Sequence, residues 1–185
     1  MAAAGKQRKA RRSERLATAA FSYLSSVETF LLSPDGREVL LLKRGRHKAV
    51  LPGFYGGVGG KMDSPSVESP LEAAGREMFE ESGYRTADLK TRLRLRSIFT
   101  VFDKFGRWNV FEFAATVREK TFQNKKRISE GTLEWVKIRD LKKKRLIQDL
   151  RNGLLERIVS AKKIFFVTVA YGRDDKIRSI QTREE

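Results

Sequence analysis

The chain contains no cysteine and only one histidine, His47, among its 185 residues. Without cysteine it can form no disulfide, no thiolate nucleophile and no cysteine-based zinc site. One histidine cannot build a histidine-cluster metal centre. No stretch approaches the ~20 apolar residues of a transmembrane helix, and no apolar segment follows the basic N-terminus as in a secretory signal peptide. We therefore expect a cytoplasmic protein without a membrane partner.

Acidic residues are few relative to basic ones, since 39 Lys and Arg against 23 Asp and Glu give a net charge of +16. Such a surface attracts nucleotides, nucleic acids or other anions. No known nucleic-acid-reading motif is present, so nonspecific binding of nucleic acid stays open as an alternative partnership. Residues 1–15 carry six basic side chains and no apolar residue larger than Ala between Gly5 and Arg15. We interpret them as a flexible basic tail before one domain over residues 16–185, with a mitochondrial presequence as the alternative.

Hydrophobic residues make up 40% of the chain and alternate regularly, which excludes global disorder and favours a single domain with a substantial core. The pattern predicts strands at residues 16–32, 38–43, 93–102, 108–117, 132–138, 164–171 and 176–182. It predicts helices from residue 69 and over residues 148–161, and a short helical or turn segment over residues 139–145. Most aromatic residues of the two central strands are expected in the core.

A helix beginning after Ser69 is predicted with particular clarity. Ser69 is a favourable N-cap, Pro70 suits the first helical position, and Glu72 completes a capping box. Gly83 provides the left-handed residue that commonly ends a helix. One small or apolar stripe, the face that such a helix packs on the core, is formed by Leu71, Ala74, Gly75, Met78 and Ser82.

Three glutamates share one face of this helix, namely Glu77, Glu80 and Glu81. Like charges three and four residues apart repel each other, so the helix alone gains nothing from them. The arrangement becomes favourable when a hard divalent cation such as Mg²⁺ or Mn²⁺ binds among the oxygens. A solvated acidic face is the alternative interpretation.

The segment from Glu68 to Gly83, with its Arg76-Glu77 pair and its later Glu80-Glu81 pair, resembles the signature of the Nudix hydrolases. Seven residues separate Gly60 from Glu68, two more than in the usual signature. A surface loop tolerates such an insertion. The resemblance implies an α/β/α sandwich with a mixed central sheet. It also implies metal-dependent hydrolysis of a nucleoside diphosphate that is linked to another group.

By position, the resemblance gives roles to individual residues. The carbonyl of Gly59 and the carboxylates of Glu77, Glu80 and Glu81 correspond to metal ligands, while Glu68 and Arg76 correspond to a structural ion pair. Glu77 and Glu130 correspond to the catalytic carboxylates, Glu130 joining the site from a loop.

Substrate contacts are expected on both sides of the Gly-rich loop. Arg44, Arg46 and Lys61 flank this loop and are candidates for binding phosphates. Asp149 falls where MutT-like relatives place a carboxylate that binds the base. An equally good interpretation is a structural residue at a helix N-terminus, where the helix dipole stabilises its negative charge. Gly56 stands where many of those relatives have a base-binding Asn, so recognition of the base must come from elsewhere.

The resemblance is strongest to the MutT-type 8-oxo-dGTP diphosphatase branch. It implies conversion of a nucleoside triphosphate, oxidised or not, into the monophosphate and pyrophosphate with Mg²⁺ or Mn²⁺. Hydrolysis of RNA 5′ ends or dinucleoside polyphosphates is the first alternative, because a larger anionic substrate would explain the charge. A noncatalytic RNA-binding module is the second.

Overall fold

The computed structural model describes residues 24–63, 68–104 and 106–184. The predicted basic tail and residues 16–23 of the first predicted strand lie outside these ranges, so the domain boundary at residue 16 stays a prediction. No helix in the described ranges is long and apolar enough to cross a membrane.

Ten strands and two α-helices make up the described fold. The strands are β1 Leu24–Leu32, β2 Glu38–Arg44, β3 Tyr55–Gly56, β4 Val58–Lys61, β5 Arg94–Asp103, β6 Gly106–Thr116, β7 Lys125–Ile128, β8 Gly131–Lys137, β9 Phe165–Tyr171 and β10 Ile177–Glu184. The helices are α1 Pro70–Ser82 and α2 Leu154–Ser160, with 3₁₀ turns at Thr86–Asp88, Ile138–Lys143 and Gln148–Leu150.

The central sheet is mixed. Its strand order is β10-β9-β5-β6-β1-β2-β8-β7, with β3 paired to β2 and β4 paired to β1. The β1–β6 and β5–β9 pairs are parallel, and the other pairs are antiparallel. Strands β1 and β2 pair directly only at their far ends, where Leu31 meets Leu40 and Leu32 meets Val39. The β3–β4 segment therefore fills the gap between them.

The two helices cover opposite faces of this sheet. Ala73, Ala74 and Met78 of α1 are buried against one face, and Leu155 and Ile158 of α2 belong to the core on the other. Side chains of β1 alternate between these layers, as the twofold period of a strand requires. The result is the α/β/α sandwich that the sequence predicted.

Several local predictions need correction. The helix expected over residues 148–161 is interrupted, because Asn152 and Gly153 adopt positive φ angles of 58° and 88°. It splits into a 3₁₀ turn and the seven-residue helix α2. Strand β7 was not predicted, since its exposed KKRI sequence has no apolar alternation.

The buried stripe of α1 is displaced from the predicted one. Leu71 was expected to face the core, but it is 54% exposed, whereas Ala73 is fully buried. Among the aromatic residues, Phe99 and Phe113 lie in the core as expected, but Phe102 is 42% exposed. Phe105 lies outside the described residues.

Candidate active site

Helix α1 is fixed at both ends by the predicted caps. The Ser69 hydroxyl accepts a hydrogen bond from the Glu72 N–H, and the Glu72 carboxylate accepts one from the Ser69 N–H at 2.8 Å. Gly83 ends the helix in the left-handed conformation, with φ of 84°. These caps set the rotation of the helix, which decides where its glutamates lie.

Two of the three glutamates pack against the glycine pair of β4. Glu81 accepts a hydrogen bond from the Gly59 N–H at 2.8 Å. A Cβ atom added to Gly60 would lie 2.6 to 2.8 Å from the carboxylate atoms of Glu77. The helix can approach β4 this closely because Gly60 carries no side chain, whereas the missing side chain of Gly59 lets β4 pack on the backbone of β1.

Arg76 connects the helix to the preceding loop. Its guanidinium donates two hydrogen bonds to Glu68, at 2.8 and 3.0 Å, and one to Glu77 at 2.8 Å. Weaker contacts of 3.3 Å reach the Glu80 carboxylate and the Lys61 carbonyl. The guanidinium lowers the pKa of Glu68. The structure therefore brings together the Glu68–Arg76 pair that the resemblance implied.

Glu81 is the most electrostatically perturbed residue of this face. Its pKa is raised to about 7, mainly by burial and in addition by the negative charges of Glu77 and Glu130. The Gly59 N–H and the charge of Arg44 act in the opposite direction. Glu81 is thus a partly buried carboxylate near two others, with too little positive charge from the protein around it.

Glu130 reaches this site from the loop before β8. Its carboxylate forms a 2.5 Å ion pair with Lys48, and its carbonyl accepts a hydrogen bond from the Gly45 N–H. The loop of residues 45–54 is therefore tied to the turn that carries Glu130.

The oxygen-donor chemistry of this face suits a hard divalent cation. Glu77 and Glu81 supply carboxylate oxygens at the glycine pair, while the Glu80 side chain is 54% exposed and turns to Arg76. Within the described ranges, no three His, Asp or Glu side chains converge as a complete metal-ligand cluster. A cation bound here would compete with Arg76 for Glu77 and Glu80, and would relieve the charge repulsion at Glu81.

The three basic candidates lie in different surroundings. Arg44 is partly buried, donates a hydrogen bond to the Val50 carbonyl at 2.9 Å, and affects the pKa of Glu81. Lys61 is exposed, with its Nζ 5.7 Å from the Trp108 ring centroid. Arg46 is exposed and forms no hydrogen bond or ion pair with any described residue. Of these three basic residues, Arg44 is the one close enough to affect a carboxylate of helix α1, that of Glu81.

A second group of carboxylates lies on the opposite face of the sheet, and the sequence analysis did not identify two of its members. Glu28 and Glu112 are paired across the parallel β1–β6 ladder and are hydrogen-bonded through their side chains. Asp149, from the Gln148–Leu150 turn, adds its negative charge to both. The signal in the sequence is one glutamate inside each of two apolar strands, VETF and VFEF.

Burial raises the pKa of all three carboxyl groups, with Asp149 reaching about 6. A hydrogen bond with Tyr171 moderates the shift at Asp149. The Gly57 N–H donates to the Glu28 carboxylate, so this group lies against the same Gly-rich segment as the helix glutamates.

A scan against protein-family models matches a NUDIX domain over residues 23–156, which is more than half of the chain. The chain belongs to the Nudix family. Its fold is similar to that of a MutT protein from Bacillus halodurans, with 25% identity, a TM-score of 0.67, and coverage of 86% of this chain and 97% of that one.

Two further solved structures show how widely this Nudix fold is used. The NUDIX domain of Shewanella oneidensis NrtR, in complex with ADP-ribose, is 21% identical with a TM-score of 0.60 and covers 78% of this chain and 94% of its own. The Ap4A hydrolase of C. elegans is 20% identical with a TM-score of 0.53, and the coverage is 73% and 95%. Family membership, with the similarity to the Bacillus halodurans MutT protein, supports a Nudix-type nucleotide pyrophosphohydrolase.

The buried carboxylates predict an unusual pH dependence for the stability of this Nudix domain. A carboxyl group whose pKa is higher in the folded state stabilises the protein fully below its unfolded pKa, and this contribution is lost as the pH rises through the folded value. Because the pKa of Glu112 is raised by burial and by the charges of Glu28 and Asp149, we expect Glu112→Gln to raise the free energy of unfolding at pH 8. The same variant should flatten the decline in stability between pH 6 and pH 8.

Chemical denaturation in EDTA at both pH values measures this effect. Glu119→Gln, at an exposed position, is the matched control and should change stability by less than about 0.5 kcal/mol. A Glu112→Gln protein less stable than wild type at pH 8 would show that the charged form of Glu112 is favoured in the fold.

Proposed function

We propose that this Nudix hydrolase converts a nucleoside triphosphate into the nucleoside monophosphate and pyrophosphate, using Mg²⁺ or Mn²⁺. Water adds to one of the two phosphorus atoms of the α–β phosphoanhydride, and the other phosphorus leaves with the bridging oxygen, so that nucleoside monophosphate and pyrophosphate are formed and one proton is released. The observation that carries the proposal is the contact of Glu77 and Glu81 with Gly59 and Gly60. It concentrates buried negative charge where a divalent cation would be stabilising.

In this proposal the cation is held by the Glu77, Glu80 and Glu81 carboxylates and the Gly59 carbonyl. When bound, it neutralises phosphate oxygens and lowers the pKa of a coordinated water. Arg76 keeps the helix and the preceding loop together, through its bonds to Glu68.

Glu77 and Glu130 are the proposed catalytic carboxylates. Either can orient the attacking water by accepting its hydrogen bond and can take up the proton that the water loses. Glu130 is the better placed of the two to be freed from its present contacts for this role. The loop that carries it is held by the ion pair with Lys48 and not by helix α1.

Positive charge for the substrate comes from the loop of residues 44–54 and from β4. Arg44 is the primary phosphate-binding residue, because it already lies within electrostatic reach of Glu81. Arg46 and Lys61 are exposed and would be recruited by the negative charge of the polyphosphate. Asp149 is the proposed contact to the base.

One observation favours a larger substrate as the second candidate function. A groove on the sheet is lined by Lys43, Lys125 and Arg127 around Tyr55, next to strand residue Arg44. The carboxylate that lines this groove belongs to Glu134, which is 8% exposed. It forms an ion pair of 2.6 Å with Lys144. Hydrolysis at the 5′ end of RNA would place the phosphates of the following nucleotides in this groove. The positive charges of Lys43, Lys125 and Arg127 would then bind them.

A substrate panel with product analysis tests the proposal. The full-length protein with Mg²⁺ should release pyrophosphate and monophosphate from nucleoside triphosphates, and EDTA should abolish the reaction. Hydrolysis of triphosphorylated RNA or dinucleoside polyphosphates at much higher kcat/KM would favour the second function. Absence of turnover on every substrate, with metal present, would contradict the proposal.

A further inference from the structure

A second cavity on the α2 side of the sheet adjoins the groove in which Lys125 and Arg127 lie. It has a volume of about 770 Å³ and is formed by the 3₁₀ turns that follow β8 and by the start of α2. Its lining contributes three cationic side chains and one carboxylate, which are Lys142, Lys144, Arg151 and Glu156. The cavity therefore has an excess of positive charge.

Lys144 and Tyr55 join this cavity to the groove. The Lys144 ammonium comes from the cavity wall and forms the 2.6 Å ion pair with Glu134, which lines the groove. The same ammonium lies 5.3 Å from the centroid of the Tyr55 ring, and Lys43 Nζ lies 5.6 Å from it. The cavity and the groove form one path, named the basic groove here, with Lys43, Lys125, Arg127, Lys142, Lys144 and Arg151 along it.

Much of the positive charge in the basic groove is not used to hold the fold. Lys43, Arg127 and Lys142 are exposed and form no ion pair with a carboxylate of the described ranges. Glu134 is already neutralised by Lys144 and, at 3.7 Å, by Lys125. The remaining cations repel one another, and a polyanion in the groove would relieve that repulsion.

A flat cationic surface lies beside the middle of the basic groove. The guanidinium carbon of Arg145 is 4.0 Å from the centroid of the Phe54 ring, so the two groups are stacked. Arg145 is exposed, and its carbonyl accepts a hydrogen bond of 2.9 Å from the Tyr55 N–H, which keeps it next to the groove. A guanidinium plane held in this way can stack on a nucleobase.

We propose that the basic groove binds single-stranded nucleic acid, with phosphates on its lysines and arginines and a base stacked on Arg145. A duplex keeps its bases inside the helix, and an acidic peptide offers charge without flat rings, so neither uses both features. A membrane surface is disfavoured, because apolar side chains that would insert into it are buried in the lining, namely Leu141, Leu146 and Leu150.

Such binding goes beyond the proposed reaction and does not depend on it. In the second candidate function, the phosphates of a substrate RNA bind in one part of the groove. Here the strand binds along the whole groove whether or not its 5′ end can be hydrolysed. A single-stranded oligouridylate with a 5′-hydroxyl group is therefore the probe, since it has no phosphoanhydride to cleave.

Fluorescence anisotropy of this labelled oligonucleotide with the full-length protein in EDTA measures the binding. The double variant Arg127→Gln/Lys142→Gln removes one charge near each end of the groove. Its affinity should be about tenfold lower than that of wild type. The slope of log K against log salt should become less steep by about 1.4, because each phosphate contact on a single strand contributes about 0.7.

Arg92→Gln/Lys163→Gln is the matched double variant. It removes the same two charges from exposed positions outside the groove, and neither residue forms an ion pair with a described carboxylate. Its affinity should stay within about twofold of wild type. An equal loss in both double variants would mean that net charge alone binds the strand, and this would overturn the groove.

Arg145→Lys tests the stacking surface, because it keeps the charge and removes the guanidinium plane. Affinity for the oligonucleotide should fall about fivefold, whereas affinity for a polyglutamate peptide of equal length should stay unchanged. Polyglutamate or anionic phosphatidylserine vesicles binding to wild type as tightly as the oligonucleotide would refute the assignment to nucleic acid.

Hydrolysis is measured separately, so that the two proposals fail independently. Lys142→Gln alone should leave the turnover of nucleoside triphosphates unchanged. Triphosphate hydrolysis by a protein that binds no oligonucleotide would keep the reaction and refute the groove. Oligonucleotide binding that depends on the groove, in a protein that hydrolyses no substrate, would support the groove and refute the reaction.

Discussion

Glu81→Gln is expected to reduce kcat/KM for nucleotide hydrolysis by about three orders of magnitude, equivalent to ~4 kcal/mol of transition-state stabilisation. Glu81 is the carboxylate whose pKa is raised to about 7 by burial and by neighbouring negative charge. Removing its charge removes a ligand from the proposed cation site. Glutamine keeps the length and helix propensity of the side chain, and its carbonyl can still accept from the Gly59 N–H.

The fold should survive this substitution. Because Glu81 is buried near Glu77 and Glu130, neutralising it relieves repulsion in the metal-free protein. The melting temperature in EDTA at pH 8 should therefore be no lower than that of wild type. Mn²⁺ affinity should fall together with activity, and Glu119→Gln should leave both unchanged. Wild-type turnover in Glu81→Gln would remove the metal assignment from this face.

Local signals in the sequence predicted the part of the site that depends on short-range contacts. The caps at Ser69 and Gly83 need only residues within four positions of the helix ends, so they are readable from the chain. The Glu68–Arg76 pair was expected from resemblance, and the structure adds the geometry that joins the loop to the helix.

Predictions failed where distant parts of the chain decide the outcome. Helical periodicity over residues 148–161 is real, but Asn152 and Gly153 take left-handed conformations and redirect the chain into α2. The buried face of α1 depends on the angle at which it meets the sheet, so Ala73 is buried where Leu71 was expected. Strand β7 forms by pairing with β8, which its own composition does not favour.

The buried carboxyl pair of Glu28 and Glu112 shows why some functional candidates escape sequence reasoning. Glu28 and Glu112 are separated by more than eighty residues and meet only because β1 and β6 pair in parallel with these positions in register. A one-residue shift of that register would leave the two side chains on opposite faces of the sheet. Gly56 and Gly57 then provide the room for Glu28, which explains two glycines that the sequence alone left without a specific purpose.

Gly59→Ala is expected to have the largest effect on stability, lowering the free energy of unfolding by about 3 kcal/mol or more. The new Cβ atom would lie 2.1 Å from the Val27 carbonyl oxygen and 2.9 Å from the Glu28 Cα, and both are backbone atoms held by the β1–β4 pairing. Relief requires movement of the strand, which would also separate the Gly59 N–H from Glu81. Thermal denaturation should show a melting temperature about 10 °C lower, with hydrolysis reduced in the fraction that remains folded.

The matched substitution is Gly75→Ala in the middle of α1, where an added Cβ atom meets nothing within 4 Å. Alanine loses less backbone entropy than glycine when a helix forms, so this variant should be more stable than wild type by about 0.5 to 1 kcal/mol. Replacing glycine by alanine is therefore expected to lower the free energy of unfolding in β4 and to raise it in α1, the two elements that meet at the site. Equal or greater stability for Gly59→Ala would mean that β4 can shift away from β1, and then the close packing of these two strands would not be what holds the Gly59 N–H against Glu81.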